Sequence, residues 1–201
     1  MASQIESYDK RKSALIQEIT TAFDGVVRED GVSLHEAQVL DDYGGPEERA
    51  QARAKDIDKT WKDVPEKDIS STDAVLSFLD AKGFRYYIPA YMVWYLRNID
   101  SRGCECCNSN TFGSVTFHLT YKVEENKDRK FQLLTVEQSR AIAHFLILEA
   151  EREEAFERKW LRASLFKGGM SKADVDSIVQ AHSFEDSSIR IALSQYWQQF
   201  V

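Results

Sequence analysis

The chain has 201 residues, a formal net charge of −7, 43% hydrophobic residues and 29% charged residues, an ordinary globular composition. No apolar stretch approaches the roughly 20 residues that a membrane-spanning helix needs, and the N-terminus lacks the apolar run of a secretory signal. The acidic balance argues against direct nucleic-acid binding, because negative side chains repel phosphate backbones. We therefore expect a cytoplasmic protein with neither a membrane nor a nucleic acid as partner.

The first third of the chain contains the clearest helical patterns. Apolar residues spaced for one helix face predict a first helix over residues 4–24. Ser33 followed by Glu36 is a capping box that predicts a second helix. Pro46 suits the first position of a third helix. We expect the buried face of this third helix to contain Ala50, Ala54, Ile57 and Trp61.

The densest aromatic run in the chain, "GFRYYIPAYMVWYLR", spans residues 83–97. Six aromatic residues bury roughly 150–250 Å² each, so we interpret this run as the interior of the domain. Pro89 lacks a backbone N–H, and it predicts a short helix over Phe84–Tyr87 followed by a new helix that begins near Pro89.

The stretch "SVTFHLTYKV" alternates apolar and polar residues from Val115 to Tyr121, which predicts a β-strand, with Phe131–Leu134 as a second strand. His118 then lies on the polar face of the strand, together with Thr116 and Thr120. Thr135 and Gln138 form a capping box that predicts a long helix to about Leu165.

We therefore expect a mainly α protein, a single-domain helical bundle with one or two short strands near residues 113–134. The predicted domains are a helical core of residues 1–165 and a C-terminal helical extension of residues 166–201, packed on that core.

Four blocks of the sequence are similar to a bacterial family known only as a domain of unknown function. They are "SLHEAQVLDDYG", "ARAKDIDKTWKDVP", "LSFLDAKGFRYYIPAYMVWYL" and "LLTVEQSRAIAHFL". The family pattern joins a tryptophan before aspartate–valine–proline to a block FRYYLPAYM, in which this chain has Ile88 for the leucine. The resemblance covers residues 5–150 and implies no assigned activity. In size, acidity and type of gene neighbourhood, its members are similar to immunity proteins that neutralise antibacterial toxins.

Acidic residues crowd the segment "HEAQVLDDYGGPEE". Residues 1–60 contain 13 acidic and 8 basic side chains, which makes this third of the chain the most acidic. Such a surface attracts a basic protein partner and speeds its encounter. The expected partner is a basic protein such as a toxin domain, and the expected contact residues are Asp41, Asp42, Tyr43, Glu47 and Glu48.

An enzymatic alternative uses the same region. His35 is a candidate general base in a metal-dependent or hydrolytic enzyme, with Asp41 or Asp42 as the orienting carboxylate. On a helix, His35 and Asp42 share a face but lie about 10 Å apart along the axis, too far for a hydrogen bond. The chain contains no G-x-S-x-G, phosphate-loop or dinucleotide motif, and we expect no cofactor.

Three thiols and one imidazole are weak candidates for zinc ligands. Cys104, Cys106 and Cys107 lie in one loop, with His118 eleven residues further on. The C-x-C-C spacing differs from the usual C-x-x-C of structural zinc sites, so we favour free thiols and predict no metal. A third hypothesis is self-association through Tyr196 and Trp197 near the C-terminus.

Overall fold

The structure, a computed structural model, describes residues 2–72, 74–101, 109–184 and 186–201. Within them the chain forms α-helices and short 3-10 helices, and no strand. The α-helices are α1 (Ala2–Ala22), α2 (Leu34–Asp41), α3 (Pro46–Arg53), α4 (Glu66–Ser71), α5 (Ala81–Asn98), α6 (Ser109–Thr120), α7 (Val123–Asn126), α8 (Val136–Lys167), α9 (Lys172–Ala181) and α10 (Ser188–Gln195). The 3-10 helices are Trp61–Asp63, Val75–Ser77, Ile99–Ser101 and Trp197–Phe200.

Helix α5 lies in the interior of the protein, as its aromatic content predicts. All residues from Phe84 to Leu96 except Arg85 are buried. The prediction of a break at Pro89 is wrong, because α5 runs through Pro89 as one helix. The missing N–H leaves one carbonyl without its intrahelical donor, but contacts on every side of a buried helix outweigh that local cost.

Helices α1 and α8 pack against α5 and lie antiparallel to each other. Arg11 forms an ion pair with Glu151 at 2.6 Å, and Glu18 contacts His144 Nδ1 at 2.8 Å. The N-terminus of α8 confirms the capping box, because the Thr135 hydroxyl accepts from Gln138 N and Gln138 Oε1 accepts from Thr135 N.

The strand prediction near residues 113–134 is wrong, because residues 109–120 form α6. Val115 and Leu119 are fully buried, whereas Phe117 and Tyr121 are about half exposed. Residues spaced by four lie on one face of a helix as well as on one face of a strand, so the alternation fits both structures. Phe131 to Leu134 form turns, with Leu134 N donating to Phe131 O.

The C-terminal segment packs on α6 and α8. Trp197 is fully buried, and its Nε1 donates to Leu119 O at the end of α6, at 2.8 Å. This burial excludes Trp197 from an exposed self-association surface. On the outer side of α8, Arg158 Nη1 donates to Val179 O at 2.7 Å and so joins α8 to α9.

The start of α5 contacts the loop before α2 so closely that one position requires glycine. Asp80 Oδ1 accepts from Gly83 N at 2.8 Å and from Val32 N at 3.0 Å. A Cβ added at Gly83 would lie 2.4 Å from the backbone oxygen of Val32. The Val32 carbonyl and the side chains of Asp80 and Leu79, at 3.0 and 3.2 Å, leave no room for a methyl group.

We expect Gly83→Ala to lower the free energy of unfolding by roughly 1–3 kcal/mol, the usual cost of overpacking, although alanine favours helix. Gly113→Ala is the matched control, because Gly113 also lies in a helix and an added Cβ there meets no atom within 4 Å. That control should be neutral or stabilising by up to about 1 kcal/mol. Urea denaturation measures both variants, and an equal response would contradict the close contact at Gly83.

Candidate protein-binding site on the α2–α3 hairpin

Helices α2 and α3 form a hairpin that is held from inside by one buried carboxylate. Glu36 accepts from Arg49 Nη2 at 2.8 Å, from Arg53 Nη1 at 2.9 Å and from Ser33 N at 3.3 Å. Burial by itself would raise the pKa of Glu36, but the hydrogen bonds from Arg49 and Arg53 outweigh it and hold that pKa below its ordinary value. The two arginines of α3 are thus turned toward the inside of the hairpin.

The base of the hairpin contains the hydrogen bond that the enzymatic alternative requires, but with a different carboxylate. His35 Nδ1 lies 2.6 Å from Asp56 Oδ1, and His35 N donates to Asp56 Oδ2 at 3.0 Å. Asp56 thereby satisfies a free N–H in the first turn of α2, as a helix cap does. Asp41 and Asp42 are at the opposite end of α2 and do not contact His35. The arrangement can orient a general base, but its geometry is that of a structural cap.

Beneath this base, a cation links two tyrosines of α5 to the loop after α3. Arg28 Nη1 donates to Tyr87 Oη at 2.5 Å and contacts Asp58 Oδ2 at 3.4 Å. Tyr86 Oη donates to the same Asp58 oxygen at 2.7 Å. Burial and then the contact with Asp58 raise the pKa of Tyr86, so its hydroxyl stays protonated at neutral pH. These contacts provide the partners that buried tyrosine hydroxyls need.

A cavity of about 440 Å³ adjoins this network and is lined in part by Leu34, Asp56, Ile57, Asp58, Val64 and Asp68. The predicted buried face of α3 is wrong, because Ala50 and Ala54 are exposed, Ile57 is 86% exposed and the helix ends at Arg53. The buried residue of this helix is Ala52. The buried carboxylates of Asp56 and Asp58 are already bonded to His35, Arg28 and Tyr86. They therefore stabilise the loop.

The tip of the hairpin contains the predicted contact residues. Tyr43 is 98% exposed and has a positive φ of 59°, which is uncommon for a residue with a side chain. Asp42 and Glu47 are exposed, Asp41 is partly buried, and no basic residue lies between positions 41 and 48. Glu48 is exposed, but its Oε2 accepts from Gly45 N at 2.8 Å and caps α3.

Short contacts within the tip hold Tyr43 in place. Gly44 N donates to Val39 O at 2.8 Å, and Tyr43 N donates to Leu40 O at 3.2 Å. A Cβ on Gly44 would lie 2.3 Å from a Val39 methyl carbon, so the turn packs directly on α2. The ring of Tyr43 consequently projects from a well-defined turn, and acidic residues flank it in the sequence on both sides.

The weak metal candidates are divided between two parts of the chain. Cys104, Cys106 and Cys107 lie outside the described residues. His118 is buried in α6, not exposed on a strand, and its Nε2 lies 2.8 Å from Ser77 Oγ while its Nδ1 lies 2.8 Å from Ser114 O. In the part of the chain that the structure describes, no three His, Cys, Asp or Glu side chains form a metal-binding group.

The contacts of Asp56 and Asp58 could not be predicted from the sequence. Asp56 and Asp58 are separated from their partners by 21 to 30 residues, and no local spacing connects them. The only local signal is the charged segment "KDIDK" at residues 55–59.

None of the helices in the described ranges is both long and apolar enough to cross a bilayer.

Comparison with known proteins adds one finding. Neither curated proteins nor solved structures include a match to this chain. A model of a family of unknown function, DUF6714, matches residues 11–165, which include the whole α2–α3 hairpin and α5. The chain is therefore a member of the family of unknown function DUF6714.

Proposed function

We propose that the protein binds a basic protein through the tip of the α2–α3 hairpin, and that it is an immunity protein neutralising a cognate antibacterial toxin. The observation that carries the proposal is Tyr43, a ring 98% exposed on a turn whose charged neighbours are all acidic. Tyrosine is enriched among the residues that dominate binding energies, because it contributes a large contact area with few rotatable bonds.

The hairpin also has the electrostatic division that such a binding site needs. Glu36 pairs with both Arg49 and Arg53 inside the hairpin and offsets one of their two charges, whereas Asp42 and Glu47 remain exposed at the tip. The exposed carboxylates would steer a basic partner during its approach. Because the turn is held by its own backbone hydrogen bonds, little conformational entropy would be lost on binding. The enzymatic alternative has less support, since the carboxylate that contacts His35 also caps a helix.

We expect Tyr43→Ala to weaken the complex with the product of the neighbouring gene by about 30-fold, the effect of losing a central binding residue of about 2 kcal/mol. Isothermal titration calorimetry measures the affinity, and survival of cells that co-express both genes measures neutralisation. The double variant Asp42→Lys/Glu47→Lys should slow association more than it speeds dissociation.

Ile57→Ala is the matched control, because Ile57 is 86% exposed but lies at the other end of the hairpin. It should leave binding and rescue unchanged. If wild-type protein neither binds nor rescues, the proposed function is wrong. If Ile57→Ala weakens binding and Tyr43→Ala does not, the interface lies elsewhere.

A further inference from the structure

The second half of α8 presents two aromatic rings to solvent. Phe156 is 66% exposed and Trp160 is 65% exposed, and their spacing of four places both on one face of the helix. The same face further back contains Phe145, which is fully buried, and Glu149, which is 3% exposed. The face of α8 that is buried in the core thus continues past the core, where it presents Phe156 and Trp160. Continuous exposed apolar surface of this kind marks interaction sites.

Charge along the same stretch changes sign at one point. Residues 149–157 contain five glutamates and one arginine, whereas residues 158–167 contain four basic residues and no acidic one. Phe156 and Trp160 lie two positions before and two positions after Arg158, the residue at which the sign changes. The aromatic pair and the charge pattern therefore share one centre.

Such a pattern is complementary to a second copy of itself. In an antiparallel pair of helices with a two-fold axis level with position 158, Phe156 of one copy faces Trp160 of the other. Glu157 of each copy then lies opposite Lys159 of the other, and both side chains are exposed. Glu149, Glu151 and Glu154 are already paired with arginines of their own chain. Arg158 itself is turned away, because its guanidinium lies 4.5 Å from the centre of the Phe184 ring and donates to Val179 O. No like charges meet at the axis.

We propose that the protein forms a homodimer in which the second halves of two α8 helices pack antiparallel around Phe156 and Trp160. Helix α9 packs against the opposite side of this segment, through Arg158 and the Arg162–Asp176 ion pair, and leaves the aromatic face open. A contact of one helix per copy is smaller than the roughly 20–30 residues a side of a standard interface, so the dimer is weak. The surface shares no residue with the hairpin tip, and dimerisation does not depend on the proposed function.

Sedimentation velocity with the full chain, from about 1 μM to about 300 μM, tests the dimer, with an expected Kd of tens of micromolar. Phe156→Glu and Trp160→Glu should each raise the Kd by at least about tenfold, because a charge would be buried against a ring. Both positions are exposed, so the melting temperature of dilute protein should stay unchanged. Ile57→Glu, at another exposed apolar position, should dimerise like wild type.

A charge reversal distinguishes the orientation of the two helices. Lys159 and Lys167 are exposed in the basic half of the segment. In the antiparallel pair, Lys159→Glu would place an acidic residue opposite Glu157 of the other copy and weaken the dimer by about threefold or more. Lys167 would lie opposite Glu149, which is buried and paired with Arg152, so the test uses Lys159 alone. In a parallel pair each Lys159 would face Lys159 of the other copy, so the same change would replace one like-charge contact by another and leave the Kd about unchanged. A wild-type monomer at the highest concentration, dimers unaffected by the ring substitutions, or a Kd that the charge reversal leaves unchanged would each overturn the proposal.

Discussion

Trp197→Ala is expected to lower the free energy of unfolding by about 3–5 kcal/mol, the usual effect of truncating a fully buried tryptophan. The indole is enclosed by aromatic rings, with ring centres 4.9 Å from Phe131 and 4.8 Å from Tyr196. Truncation would leave a cavity among them. The indole N–H is also the donor to Leu119 O in the last turn of α6, where carbonyls lack intrahelical partners. Loss of that donor adds the cost of a buried, unsatisfied carbonyl.

Trp160→Ala is the matched control, since it removes the same side chain from a position that is 65% exposed. At low protein concentration it should change stability by no more than about 0.5 kcal/mol. Trp197→Phe separates the two contributions of Trp197, because it retains most of the packing but not the N–H. Guanidinium denaturation measures all three variants. Equal effects of Trp197→Ala and Trp160→Ala would contradict the packing of the C-terminal segment on α6 and α8.

Acidification is expected to destabilise the protein through His118. Burial lowers the pKa of His118 to about 4, and the neighbouring charge of Lys130 acts in the same direction. In the unfolded chain this pKa is about 6.5, so between pH 6.5 and pH 4 the unfolded state binds more protons than the folded state. The stability contributed by neutral His118 is therefore complete above pH 6.5. It falls as the pH is lowered, by roughly 2 kcal/mol at pH 5 and about 3 kcal/mol at pH 4.

Urea denaturation of wild type and His118→Gln at pH 7 and pH 5 isolates this contribution. Glutamine does not titrate and can still hydrogen-bond to Ser77 and to the Ser114 carbonyl, the two partners of the histidine. The variant should lose about 2 kcal/mol less than wild type over this interval, since the carboxylates that titrate are common to both. Equal pH dependence in the two proteins would show that His118 is protonated without cost.

Much of the helical framework could be predicted from local spacing. The capping box at Thr135 and Gln138 marks the start of α8, and the predicted helix over residues 4–24 agrees with α1 to within two residues at each end. The prediction that the aromatic run forms the interior is confirmed, because burying so many rings together removes a large apolar area from water. The acidic segment that includes Tyr43 follows directly from the sequence, since its carboxylates lie close together in the chain.

The errors have identifiable physical causes. The spacing of Val115 and Leu119 fits a strand and a helix equally well. The helix is the structure that forms, because α6 packs against α10 and buries both residues. Pro89 disfavours a continuous helix locally, but the packing contacts around the buried helix α5 stabilise it as one helix. Ile57 fits the periodicity of α3, yet the helix ends four residues earlier, where the chain turns to place Asp56 beneath α2.

The sequence by itself determined that the protein is helical, acidic and built around residues 84–96, because composition and spacing act between residues close together in the chain. Only the tertiary structure decided which carboxylate contacts His35, that the hydroxyls of Tyr86 and Tyr87 contact Asp58 and Arg28, and that His118 is buried. Those contacts join residues far apart in the chain. Their geometry depends on how all the helices pack together, which no local pattern specifies.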